Sequence, residues 1–199
     1  MPQFLGYCFK VFEACPAWVG AERVRRVASV TECNLPRPEG WVDRWDFNRA
    51  GLYETPAAAR VALEESGDPD EFHLFAYEFY PLRFDHQGSI REVRVEEIFG
   101  TSDPLLPGAR SADGLVFLGF DVVERWADSV ENDASTHALA GGFGCSPLFC
   151  GMEARNYPAN EYCLLDTWED ACVAAAAFAV STTDKPGCYY VFGVFGEKL

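Results

Sequence analysis

The sequence predicts an α+β fold. Two duplicated strand–helix–strand halves form a mainly antiparallel sheet with helices on one face, ferredoxin-like in outline. Three observations predict it. Residues 4–14 read FLGYCFKVFEA and residues 117–127 read FLGFDVVERWA, so the chain opens and later resumes on nearly the same phrase. An ungapped comparison of residues 33–62 with residues 145–174 gives seven identities: Cys33/Cys145, Asn48/Asn160, Leu52/Leu164, Thr55/Thr167, Ala59/Ala171, Val61/Val173 and Ala62/Ala174. Each window then runs through a threonine-led, alanine-rich helix into an aromatic strand, so the order of features is the same in both halves.

The elements follow in order. Residues 4–12 and 115–123 are short apolar runs with aromatic and β-branched residues, a composition that fits a buried pleated surface. Asn48 and Asn160 precede the helices, where an asparagine side chain bonds nearby backbone groups or accepts a left-handed turn. Thr55 caps a helix over 56–66 with Pro56 in its first turn, and Thr167 caps one over 168–180 with Glu169 and Asp170 there. Trp168, Ala171, Cys172, Ala175, Phe178 and Ala179 recur at helical spacing and mark the buried face of the second helix. Gly67 and residues 182–187 end the two helices, and residues 72–84 and 188–195 return as strands. A shift of four residues sets 72–77 beside 188–193. Asp85-His86-Gln87-Gly88 is a hairpin turn that leads into a strand over 91–99, paired with the end of 72–84. Residues 100–114 carry two prolines and no periodicity. The domain reading is therefore a first repeat with a hairpin extension (1–99), a linker (100–114) and a second repeat (115–199), the two repeats forming one compact domain.

Composition bounds the function. The chain has 199 residues, 49% hydrophobic and 24% charged, which suffices for a real core. A formal charge of −15 repels phosphate backbones and anionic membranes, which argues against nucleic acid and membrane partners. The start of the chain lacks a basic segment followed by an apolar run, and no window reaches the length of a membrane span, so the expected location is cytoplasmic. Eight cysteines in this length fall below the density of a disulfide-stapled secreted domain, and most are expected as small buried thiols. No C-x-x-C pair occurs and His73, His86 and His137 have no finger-like spacing to cysteine, so neither a metal nor a cofactor is expected.

Features present in both halves are most simply structural, whereas a single site needs its groups once. The second half alone carries a glycine-rich approach, residues 137–145 reading HALAGGFGC. There Cys145 would be a nucleophile for acyl transfer, with His137 as base and loop N–H groups as oxyanion donors. The phrase at residues 51–62, GLYETPAAARVA, is similar to the Gly-Leu-Tyr-x-Thr segment of some ADP-ribosyltransferases, where it resembles a turn beside the nicotinamide pocket. That resemblance implies a nucleotide-binding alternative, but no Arg or His start with a later catalytic glutamate matches residue by residue. The preferred reading is a protein-binding module: an inhibitor, immunity-type or adaptor protein with no persuasive catalytic set. Trp18, Trp41, Trp45, Tyr53, Tyr157 and Trp168 gather near loops and helix starts. Of these, Trp41, Trp45, Tyr53, Tyr157 and Trp168 are the candidate anchors for a basic partner.

Overall fold

The computed structural model describes residues 1–10, 12–14, 24–30, 48, 50–66, 72–100, 114–125, 143–144, 146–150, 156–182 and 187–197. In chain order the elements are β1 (Gln3–Lys10), β2 (Glu13–Ala14), β3 (Arg26–Val27), α1 (Pro56–Ser66), β4 (His73–Phe84), β5 (Ile90–Glu92), α2 (Val95–Phe99), β6 (Val116–Glu124), α3 (Pro147–Cys150), α4 (Trp168–Val180) and β7 (Tyr189–Gly196). The fold is α+β. Its main sheet is antiparallel and five-stranded, in the order β1-β4-β7-β6 with β5 paired to β4; β2 and β3 form a separate pair.

Alternation along the strands sorts the side chains onto two faces. Leu5, Phe75, Tyr77, Phe79, Leu118, Tyr190, Phe192 and Val194 point to one face, where they pack with Ile98 and Phe99 of α2 and with Phe143. The other face carries both long helices. Ala59 and Ala62 of α1 lie on Phe4, Tyr7, Leu74 and Ala76, while Ala171, Ala174, Ala175 and Phe178 of α4 lie on Phe120, Val122, Tyr189 and Val191. Alanine at these positions lets each helix approach the sheet closely, so the strand aromatics fill the interlayer space.

The two halves repeat the same local structure. Each outer strand is bulged at a glycine, Gly6 in β1 and Gly119 in β6, at φ of 137° and 145°. A Cβ at Gly6 would stand 2.6 Å from the Tyr53 carbonyl oxygen, and one at Gly119 would stand 2.9 Å from that of Leu165, so only glycine fits. Asn48 Nδ2 donates to the Leu5 carbonyl at 2.6 Å and Asn160 Nδ2 to that of Leu118 at 2.7 Å. Their Oδ1 atoms accept from the N–H groups two and four residues on, Ala50 and Leu52 in one half and Tyr162 and Leu164 in the other. Thr55 and Thr167 each accept from the N–H three residues on, at 3.1 Å, and so cap α1 and α4 alike. Gly6, Tyr77, Val194 and Gly119 form one row across the sheet, and the two halves meet at its central Tyr77–Val194 pair.

Several expectations require correction. The strands flanking each helix are direct antiparallel neighbours, whereas a split βαβ unit inserts another strand between them, so the strand order is not the ferredoxin-like one. The strand expected over 91–99 stops at Glu92. Val95, Ile98 and Phe99 fall on one face of a helical turn, and Gly100 ends it in the left-handed region at φ 68°. The register makes Phe75 the counterpart of Phe192, one residue beyond the pairing with Val191 that the sequence comparison gives. The hairpin turn is present: Asp85 Oδ1 accepts from the N–H groups of Gln87 and Ser89, and β5 pairs with the end of β4. The expected linker lies, apart from Gly100 and Gly114, outside the described residues.

Candidate functional site

The aromatic candidates separate. Trp41 and Trp45 lie outside the described residues, as does Trp18. Tyr53 is buried, exchanges backbone hydrogen bonds with Tyr7 at the free edge of β1, and belongs to the packing under α1. Tyr157 packs on Phe178 with ring centroids 4.8 Å apart. Trp168 stacks on Tyr80 at 4.6 Å and meets Phe120 edge-on at 5.8 Å. Tyr157 and Trp168 share α4 but touch opposite ends of it, about 15 Å apart at the usual helical rise. The structure therefore places Tyr53 apart from the other two; both of those are partly buried, and Trp168 has its aromatic setting on the strands of the sheet.

That setting continues beyond Trp168. Tyr80 meets Phe120 at 5.6 Å, Phe120 meets Phe117 at 4.9 Å, and Phe117 meets Phe195 at 5.3 Å. The rings form a band along the helix-bearing face, and Phe117 is 44% exposed. Its counterpart in the first half, Phe4, is only 7% exposed, although Phe4–Tyr7 repeats the edge-on contact of Phe117–Phe120. Beside the band lies Glu78, with 3% of its surface exposed. A Cβ placed at Gly193 would be 3.4 Å from Tyr80 Cε2, 3.5 Å from Glu78 Cβ and 3.6 Å from Phe117 Cε2, so these three side chains converge above that glycine.

Cys145 and His137 lie outside the described residues. Their neighbours are committed to structure. Phe143 bridges to Arg125 at the edge of β6, and the Gly144 N–H donates to the Glu124 carbonyl at 2.8 Å, so that N–H is not directed at a ligand. Among the described cysteines Cys8, Cys163, Cys172 and Cys188 are free thiols. Burial, and then Glu169, push the Cys172 thiol up, the opposite of an activated thiolate. Among the described residues no group of three His, Cys, Asp or Glu side chains is placed to hold a metal, and no helix is long and apolar enough to cross a membrane.

On the opposite face a polar cluster is fully enclosed, and the sequence reading missed it. Asp121 Oδ2 accepts from the Ser29 hydroxyl at 2.6 Å and the Val30 N–H at 2.8 Å; Oδ1 accepts from the Ser146 hydroxyl at 2.6 Å and its neighbour's N–H at 2.9 Å. Lys10, also buried, donates to the Ser29 carbonyl and stands over the Phe75 ring at 4.6 Å. Burial raises the Asp121 carboxyl above its ordinary range, and the Ser146, Ser29, Val30 and Lys10 groups act against that rise. With both serines donating to it and no exposed surface, this carboxylate ties β6 to residues 29–30 and to the start of α3. The signal in the sequence was an aspartate interrupting an apolar strand, FLGFDVV, where the first half has Cys8.

No protein-family model matches the chain, and neither a curated protein nor a solved structure shows significant similarity to it.

Proposed function

We propose that the protein is a binding module of the inhibitor, immunity or adaptor kind, which recognises a basic protein partner rather than turning over a substrate. The observation that carries this reading is the pairing of acidity with an aromatic anchor at the start of α4. Residues 156–182 contain Glu161, Asp166, Glu169 and Asp170 and no lysine, arginine or histidine. Glu161, Asp166 and Glu169 are exposed, and Trp168, stacked on Tyr80, stands among the last two. Carboxylates in the first turn also complement the positive end of the helix, so part of this acidity serves α4 itself. Asp166 lies outside the helix and extends the field beyond that need, whereas Glu161 adjoins Arg25 and Arg26, whose backbone N–H groups donate to its carbonyl. The charge of −15 would steer a basic partner toward the surface, and a partly buried tryptophan is the kind of residue that dominates the final contact. The matched halves read as an internal duplication, and the free thiols support a reducing, cytoplasmic setting.

The test is affinity capture from the native cell with the wild type and with an Asp166→Asn/Trp168→Ala/Glu169→Gln variant. A basic protein retained by the first and lost by the second supports the reading. Equal retention, or retention of acidic proteins only, contradicts it.

A further inference from the structure

Residues 24–30 join the two faces of the sheet. Val24 and Val27 pack with the cluster under α4, and Ala28 and Val30 with the cluster on the opposite face; all four are buried, while Arg25 and Arg26 are exposed. One end of the segment is held by backbone: the Arg25, Arg26 and Ala28 N–H groups donate to the Glu161 and Tyr162 carbonyls at 2.9, 3.0 and 3.0 Å. The other end is held by charge. Ser29 lies between two buried ionisable groups on the outer strands, its carbonyl accepting from Lys10 of β1 and its hydroxyl donating to Asp121 of β6 at 2.6 Å. Asp121 holds a second segment at the same time. Its other oxygen accepts from the Ser146 hydroxyl at 2.6 Å, and that hydroxyl accepts from the Leu148 N–H of α3 at 3.3 Å. In the other half the counterparts of Lys10 and Asp121 are Val123 and Cys8, so the fold is built there without either charge. Burying these groups costs free energy that apolar residues do not, and the core alone does not select them.

We propose that residues 24–30 are a strap that opens and recloses as one unit with Ser146 and α3, with Asp121 as the latch that both share. Openings of this kind involve cooperative units of the chain and cost less than global unfolding. The coupling has a physical cause: an enclosed carboxylate is stable only while donors fill its acceptor sites. When Ser29 and Val30 leave, water reaches Asp121 and takes the place of Ser146 as readily as theirs. When Ser146 leaves, one oxygen lacks a donor until the strap opens and water supplies it. Release of either segment therefore eases release of the other. Lys10, which stands over the Phe75 and Tyr77 rings at 4.6 and 5.5 Å, draws the strap toward β1 through the Ser29 carbonyl. The far end of the strap meets the Glu161 and Tyr162 carbonyls in the turn that leads into α4, so its opening is felt on both faces of the sheet.

The experiment is native-state hydrogen exchange on the whole protein, followed at single amides over a range of low urea concentrations. In the wild type the Ala28, Val30 and Leu148 N–H groups are expected to share one opening with one urea dependence, at a lower free energy than the β7 amides, which report global unfolding. Ser146→Ala is expected to speed exchange at Ala28 and Val30 about fivefold, and Ser29→Ala to speed it at Leu148 by a similar factor, each acting on the segment it does not belong to. Thr55→Ala, which weakens the cap of α1, is expected to speed the β7 amides and leave the strap unchanged. Either serine variant serves if the other does not fold, and the shared opening in the wild type needs neither. The inference is overturned if Val30 and Leu148 open with different urea dependences, if both exchange only with the β7 amides, or if a folded serine variant speeds exchange in its own segment alone.

Discussion

At Gly6 and Gly119 the neighbouring backbone carbonyl decides the residue. An added methyl group would meet Tyr53 or Leu165 oxygen well inside contact distance, at a φ that other residues rarely adopt. Alanine at either position is predicted to cost about 2–3 kcal/mol, read from the urea midpoint. Gly114 also has positive φ, 73°, but nothing lies within 4 Å of the added carbon. Its replacement by alanine should therefore cost only about 1 kcal/mol. Equal costs at Gly6 and Gly114 would refute the steric argument. Asp121 makes a prediction in pH. Its folded carboxyl titrates above the ordinary range, so over the interval between the unfolded and folded values the native protein holds a proton that the unfolded chain has lost. The contribution of this group to stability is therefore full below that interval and falls as pH rises through it. Asp121→Asn should remove this slope. It should also cost about 1–3 kcal/mol, because either orientation of the amide turns an NH2 toward a backbone N–H, that of Val30 or of Val122. A variant with the wild-type pH slope would show that Asp121 is not its source.

At the scale of elements, the caps and turns carry their own causes. Thr167 accepts from the Asp170 N–H while its hydroxyl donates to the Asp170 carboxylate at 2.7 Å, so Thr167→Ala is predicted to cost about 1 kcal/mol in thermal or urea unfolding, and Thr55→Ala a similar amount. A Thr55→Ala effect near zero would mean that the two caps are not energetically alike. These helices were legible because a cap, an acidic or proline first turn and an alanine face all point the same way. The segment 91–99 was misread because Val93, Val95 and Phe99 also fit a strand alternation; the Gly100 turn and the Arg94–Glu97 ion pair at 3.0 Å favour the helix. Neither the Val24–Val30 segment nor Ser146 announced its role, since what places them is a buried carboxylate far away in the chain. Segment 25–28 donates to the Glu161 and Tyr162 carbonyls, a long-range pairing with no local pattern to reveal it. The candidate anchors were legible as residue types only: Trp168 and Tyr157 look alike in sequence, and it is packing that separates them.

At the scale of the molecule, one sheet is made from two similar halves, and the features present once gather on its helix-bearing face: the exposed Phe117, the Trp168–Tyr80 stack, Glu78 and the cation-free segment 156–182. Charge acts over the whole surface. An excess of 31 acidic over 16 basic residues should accelerate encounter with a basic partner, and salt should weaken that effect as the Debye length falls from about 10 Å at 0.1 M to about 3 Å at 1 M. Dissociation should depend far less on salt, because desolvated aromatic contacts rather than exposed charges would hold the complex. The most direct measurement is therefore the association rate of the captured partner with the wild type and with the Asp166→Asn/Trp168→Ala/Glu169→Gln variant between 0.1 and 1 M salt. The account predicts a wild-type rate that falls steeply with salt and a variant that associates more slowly, depends less on salt and dissociates faster. Rates that are indifferent to salt and identical in the two proteins would contradict it, leaving the acidic surface a solvated face and Trp168 a lid on the core.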